Sequence, residues 1–251
     1  ANEGEVVSAT WMTAGLGVYE LYVNGVRIGT DFLKPGFTHN EKTKYAFTYD
    51  VTEAFRRAKG ATNVLAAEVS SGWWRDKIVT PSGRTGFVGR KSAFRGVLEV
   101  AYAGGAVRRY GTNVKDWKAG VAGPVTRAAI FDGEHFDARQ KPGFACGASF
   151  GAPQANAEFK GEILPTDGAE VLLRCDKALS PVKAYTWKGV EGASDAAFGT
   201  VKVVRDFAGN GPFELAPGET LVVDFGQNAA AVPSFRFAAA AGTVLTALPA
   251  E

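Results

Sequence analysis

Apolar and polar residues alternate with a period of two along much of this chain, most clearly from Gly17 to Gly29, GVYELYVNGVRIG. Tyr19, Leu21 and Val23 alternate with Val18, Glu20 and Tyr22; Asn24-Gly25 interrupts, and Val26, Arg27 and Ile28 resume. A tight two-residue hairpin loop needs positive φ at both central residues, which Asn-Gly tolerates, so this run predicts a β-hairpin.

The same period predicts strands at residues 6–14, Lys44–Tyr49, Asn63–Val69, Phe94–Tyr102 and Ala106–Tyr110, the last two joined by a Gly104-Gly105 turn. Asn63–Val69 (NVLAAEV) is nearly continuous in apolar residues and reads as a buried strand. Asp50-Val51-Thr52-Glu53 predicts the cap of a short helix through Glu53–Arg57, stopped by Lys59-Gly60. Asp31–Asn40 and residues 80–91 read as loops, the second glycine-rich and long enough to serve a function. A further β region is predicted at Val171–Cys175, Val182–Trp187, Val201–Asp206, Leu221–Phe225, Ser234–Ala238 and Thr243–Leu248.

Short strands spaced by turn signals predict an all-β chain, an antiparallel sandwich or jelly roll. Residues 143–161 are rich in Ala and Gly and poor in pattern. The expected division is a first domain at 1–145, a connection at 146–165 and a second domain at 166–251. The strand at Thr243 has barely formed when the sequence stops, so the second domain is expected to be incomplete, and the chain to be a truncated fragment.

Composition narrows the function classes. The 251 residues carry 28 basic and 26 acidic side chains, a balance that gives no reason to expect nucleic acid or an anionic membrane as partner. No apolar run approaches a membrane span. Cys146 and Cys175 are too far apart for a CxxC metal or redox motif; one disulfide between them and two free buried thiols are both consistent with the sequence.

Six ordered segments together carry a family resemblance. They are Leu16–Thr38, FTYDVT (Phe47–Thr52), SGWWR (Ser71–Arg75), Trp117 in KDWKAG, GPVTRAAIFDGEHFDAR (Gly123–Arg139) and VDFGQN (Val223–Asn228). In this order they resemble the N-terminal non-catalytic region of bacterial α-L-rhamnosidases, and the resemblance covers nearly the whole chain. The chain departs from the family's usual pattern at Gly104, at Asn40 and at Ala229–Val232. The resemblance implies a jelly-roll-type antiparallel β-sandwich followed by part of a second β-sandwich. It also implies an accessory region that supports a catalytic (α/α)₆ barrel, absent here, and recognises rhamnose-containing glycans. In that family the reaction is inverting hydrolysis of terminal α-L-rhamnosides, and the carboxylate-rich catalytic segment appears nowhere in this sequence. The alternative is a stand-alone carbohydrate-binding module without hydrolase activity. A periplasmic or extracellular location is expected over a cytoplasmic one.

Candidate chemistry is sparse. Trp73 and Trp74 are the best sugar-binding candidates, because a flat indole stacks on the apolar face of a pyranose, and Arg75 and Asp76 beside them can hydrogen-bond hydroxyls. On a strand the two rings face opposite sides, one towards the core and one towards a rim. His39 and Asn40 join them from the loop after Pro35-Gly36. Asp132, Glu134 and Asp137 read as a turn at Asp132-Gly133 with solvated charges and Arg139 as partner, in preference to a catalytic pair. Three carboxylates do not make a calcium cage, and two histidines do not make a zinc site, so no catalytic residue, metal or cofactor is assigned. Gly83–Gly89 lacks the Gly-Lys-Ser/Thr of a phosphate-binding loop. Asp224, Gln227 and Asn228 are expected in turn and inter-domain hydrogen bonds.

Overall fold

A computed structural model describes residues 4–57, 62–77, 88–121, 123–141, 150–166, 168–194, 196–207 and 211–249. The Lys59-Gly60 helix stop, residues 80–87 of the glycine-rich loop, Cys146, the start of the expected connection (146–149) and Glu251 lie outside the described residues. The chain divides into two compact units, Ala1–Leu173 and Arg174–Glu251.

The first unit is built from twelve strands and two short helices among the described residues. They are β1 (Val6–Leu16), β2 (Tyr19–Val23), β3 (Val26–Ile28), β4 (Asp31–Phe32), β5 (Thr43–Asp50), α1 (Thr52–Arg56), β6 (Leu65–Val69), α2 (Gly72–Arg75), β7 (Ala93–Tyr102), β8 (Val107–Gly111), β9 (Val125–Ala129), β10 (Gly133–Phe136), β11 (Glu162–Pro165) and β12 (Val171–Leu172). One sheet runs β11-β5-β1-β7-β8, antiparallel except where β11 lies parallel to β5. A second sheet is β3-β2-β6, and β9–β10 and β4–β12 form two small antiparallel pairs.

The hairpin forms as its pattern predicts. Asn24 and Gly25 hold φ of 52° and 78°, and Leu21, Tyr22 and Val23 pair with Ile28, Arg27 and Val26. The Asn24 side chain extends the turn: its Nδ2 donates to Ala54 O at 3.1 Å and Asn63 Oδ1 at 2.8 Å, and its Oδ1 accepts from Val64 N at 2.9 Å.

Alternation along each strand sends one set of side chains into a core shared by the two larger sheets. Ala9 and Trp11 from β1, Leu98 and Val100 from β7, and Tyr19, Leu21 and Val23 from β2 are its buried members, with Val51 and Phe55 closing it at α1. Phe94 joins the sheets: its ring meets Trp11 edge-on at 5.9 Å and Tyr19 at 5.6 Å. The Asp50 carboxylate accepts from the backbone N–H of Thr52 at 2.9 Å and from its hydroxyl at 2.5 Å where α1 starts, while the N-cap position itself is Val51, which makes no side-chain capping bond.

Beneath the hairpin lies a buried ionic cluster. Lys34 Nζ has no solvent exposure and sits 3.4 Å from Glu20 Oε2 and 3.6 Å from Asp31 Oδ1. The rings of Tyr49 and Tyr19 flank it at 5.5 and 5.9 Å. Tyr49 donates its hydroxyl to Asp31 Oδ2 at 2.7 Å, while Arg27 donates to Glu20 at 2.7 Å and to the carbonyls of Gly29 and Asp31. Burial first, and then the Asp31 carboxylate, hold the Tyr49 phenol well above its ordinary range, so it remains a donor.

Several expectations are corrected. Trp73 and Trp74 stand on a helical turn, α2, because Gly72 at φ 49° reverses the chain after β6, and Arg75 N then bonds Ser71 O at 3.2 Å. All five residues of β6 are half-buried instead of fully buried. Only Val171–Leu172 of the expected Val171–Cys175 strand is extended, and it pairs with β4 in the first unit, before a 3₁₀ turn at Cys175–Lys177. Cys175 is a free, exposed thiol.

The second unit contains β13 (Lys183–Glu191), β14 (Thr200–Phe207) and β15 (Thr220–Asp224), an antiparallel sheet ordered β14-β13-β15. Ser234–Ala238 and Thr243–Leu248 are not strands; their alternation finds no partner among the described residues, and an unpaired strand is not stable in water.

Removing one member of a buried charge cluster strands the others. Lys34→Met is therefore expected to lower the stability of the first unit by about 3–5 kcal/mol, and Tyr49→Phe by about 1–3 kcal/mol. Urea unfolding followed by tryptophan fluorescence in a Trp187→Phe background, which restricts the signal to the first unit, checks both.

Candidate functional site

The loop from Pro35 to Asn40 folds against α2 in the first unit. It enters through a cis Lys34–Pro35 peptide, and Gly36 N returns to Leu33 O at 2.8 Å. Gly72 opens α2 so close to β2 that a Cβ there would lie 2.5 Å from Val18 N, a place open only to glycine. The loop and the helical turn are then tied by Asn40, which is buried and donates from Nδ2 to the Trp73 carbonyl at 3.2 Å.

Asn40 is itself held by a cation. Buried Lys44, from β5, donates through Nζ to Asn40 Oδ1 and lies 5.0 Å from the centre of the Trp74 ring. Trp74 is buried, donates Nε1 to Lys91 O at 3.0 Å and meets Phe159 edge-on at 6.2 Å. No room for a water molecule remains where Pro35, Asn40, Lys44 and the two tryptophans meet.

The six candidate residues divide between interior and surface. Asn40, Trp74 and Asp76 are buried; the Asp76 carboxylate accepts from Lys77 N and from Ile130 N, each at 3.0 Å, pinning the turn after β9 to α2. His39 and Arg75 are exposed, and the His39 carbonyl accepts from Lys42 N and Thr43 N. Trp73 is half-buried. Phe37, which nothing in the sequence singled out, meets it edge-on at 6.2 Å and is 62% exposed. Phe37 and Trp73 thus form an aromatic surface held from beneath by Asn40 and Lys44. Such a surface offers CH–π and apolar contact, and the edge-to-face geometry leaves ring area open. The only legible sign of Phe37 was its place after the Pro35-Gly36 turn.

Two of the three acidic side chains are engaged by basic ones. Asp132 pairs with Lys77 and with Arg127 at 3.2 Å, and chiefly the Lys77 hydrogen bond holds its carboxyl below the usual range. Asp137 is bidentate with Arg139, at 2.8 and 2.9 Å, and is likewise held low. Glu134 is exposed on β10. No group of three or more His, Cys, Asp or Glu side chains able to hold a metal occurs among the described residues.

Burial pulls the Lys44 ammonium down from its ordinary 10.5 to about 8. A lysine that titrates lower when folded binds its proton more weakly than in the unfolded chain. Its penalty is full below pH 8 and is relieved as pH rises towards 10. The stability difference between the parent and Lys44→Met is therefore expected to move in the parent's favour between pH 8 and 10. Urea midpoints of both proteins across that range check it; parallel profiles would refute it.

Comparison with known proteins places this geometry. The model of the α-L-rhamnosidase N-terminal domain family matches residues 4–154. An α-L-rhamnosidase of Streptomyces avermitilis is 30% identical over 252 residues, covering 98% of this chain and 21% of that protein. One from Alteromonas sp. strain LOR is 27% identical over 250 residues, covering 99% of this chain and 24% of the relative. The crystal structure of the Streptomyces avermitilis α-L-rhamnosidase complexed with L-rhamnose superposes with a TM-score of 0.63 at 30% identity, over 72% of this chain and 17% of that one. The chain spans about a fifth to a quarter of the length of these two curated relatives. With the family pattern extending over the hairpin, α2 and every strand from β1 to β10, the chain belongs to the α-L-rhamnosidase N-terminal domain family.

Proposed function

We propose that this chain is the non-catalytic N-terminal accessory region of an α-L-rhamnosidase-like glycoside hydrolase, supporting a catalytic domain and recognising rhamnose-containing glycans. The observation that carries the reading is its alignment, over nearly its whole length, with about a fifth of an α-L-rhamnosidase. The proposed organisation is a jelly-roll-type sandwich at 1–145, a connection at 146–165 and a partial second sandwich at 166–251.

The support role draws on the second unit, where only Ala184 and Thr186 are buried among the described residues. Its sheet leaves Val190, Val201, Val203 and Val204 exposed, and Phe235, Phe237, Val244 and Leu248 add apolar surface beyond it. A three-stranded sheet needs a covered apolar face for independent stability, and further polypeptide of the same protein would supply the cover.

The recognition role draws on the surface of Phe37 and Trp73, with Arg75 and His39 as hydrogen-bonding groups on the same two segments. Recognition of a rhamnoside by this surface alone would make the chain a carbohydrate-binding module, and the exposed Phe37 ring is the observation in favour of that second reading. Asn40, Trp74 and Asp76 would act from beneath by fixing the turn that carries Trp73.

The 251-residue chain is expected to bind methyl α-L-rhamnoside saturably without hydrolysing an aryl α-L-rhamnoside, and Trp73→Ala is expected to weaken binding by roughly tenfold, about 1.4 kcal/mol. Isothermal titration and release of the chromogenic aglycone provide the two readouts. Turnover by the chain alone would overturn the accessory reading; absence of binding would overturn the recognition role and leave the supporting one.

A further inference from the structure

A second concavity lies away from α2, between the β2–β3 hairpin and the junction of β5 with α1. Its volume is about 510 Å³, within the range of small-molecule clefts. Val26, Ile28 and Ala54 supply apolar lining, while Asp50, Glu53 and Arg57 supply charged groups.

Both walls are held in place without a ligand. Asn24 clamps the hairpin to α1 through the Ala54 carbonyl, and α1 is tied to β1 by Val51 N to Ala9 O at 2.8 Å and Ala9 N to Thr52 Oγ1 at 2.9 Å. The backbone frame of the cleft is therefore preformed, which lowers the ordering cost of binding there. One Asp50 oxygen carries both hydrogen bonds from Thr52, chiefly the hydroxyl's, and these hold its carboxyl below the usual range as an ionised acceptor. Glu53 is paired with Arg56 at 3.0 Å, so its charge is already balanced.

The charges of the lining select the ligand class. Glu53 is balanced by its pairing with Arg56, which leaves one carboxylate, Asp50, and one guanidinium, Arg57, in the lining, so the cleft attracts neither an anion nor a cation strongly. A carboxylate acceptor and a guanidinium donor beside an apolar lining match the alternating hydroxyl and C–H surfaces of a polyol ring. None of the lining residues is aromatic, which disfavours a flat heterocycle needing a stacking partner.

We propose that this cleft binds a neutral polyhydroxylated ring, a pyranose unit of a glycan. Asp50 accepts from ring hydroxyls, Arg57 donates to them, and Val26 with Ile28 and Ala54 contacts the ring's C–H face. This site is separate from the Phe37 and Trp73 surface and does not rest on the rhamnosidase reading.

Methyl NMR of the full chain, titrated with L-rhamnose, D-glucose and myo-inositol, tests the proposal. Saturable millimolar shifts of the Val26 and Ala54 methyls are expected with at least one of these. Arg57→Ala is expected to weaken that binding roughly tenfold, while Trp73→Ala leaves it unchanged. Val26→Trp, at an exposed position on edge strand β3, is expected to fill the cleft and abolish the Ala54 shift with the thermal midpoint retained. Methyls that stay still with all three polyols, or that move only with a charged probe such as citrate or spermidine, would overturn it.

Discussion

A lysine ammonium with no access to water dictates much of the first unit. Lys34 is followed directly by the loop that reaches α2, and its charge is tolerable inside only if carboxylates and ring faces surround it. Those partners come from three places in the sequence: Glu20 and Tyr19 on β2, Asp31 on β4 and Tyr49 on β5. Meeting this one requirement brings the hairpin, the loop and the large sheet together. A rearrangement that keeps the apolar contacts but misplaces Lys34 leaves an ammonium in a dry interior. Apolar burial supplies the driving force, and the ionic cluster ties β2, β4 and β5 to one another.

The loop that follows Lys34 inherits that precision. Lys44 and Asn40 repeat the arrangement on a smaller scale, a buried cation and an amide fixing the backbone beneath a partly exposed tryptophan. The exposed aromatic edge is thereby mounted on the rigid part of the unit, which is what a recognition surface requires.

Local features of the sequence were readable where one residue type answers one backbone demand. Asn24-Gly25 required a turn with positive φ, Asp50 before Thr52 announced a helix start, and alternation marked β1, β5, β7 and β8. Legibility failed where tertiary contact overrides local preference. Two adjacent tryptophans beside a strand look extended by propensity, yet Gly72 turns them into a helix. Lys34 and Lys44 look like solvated loop and edge residues, because their partners are supplied by other segments. Ser234–Ala238 carries a strand's pattern with no neighbour to pair with among the described residues. The surface role of Phe37 was invisible for the same reason: exposure is a property of the assembled fold, and a phenylalanine after Pro-Gly reads equally well as core.

The clamp made by Asn24 has a bearing on where this scaffold accepts change. Tight β-turns at loop tips are the usual sites for grafting peptides or opening new termini. Here the most recognisable turn is the wrong place, because its side chain stitches the hairpin to residues thirty and forty positions further along. The turn at Gly104-Gly105 is the more open one: Gly105 itself holds φ of 82° and is best kept as glycine, but nothing stands within 4 Å of where its Cβ would lie, and the strands it joins are secured by their own ladder. Cargo placed there would leave the hairpin, the α2 surface and the cleft intact.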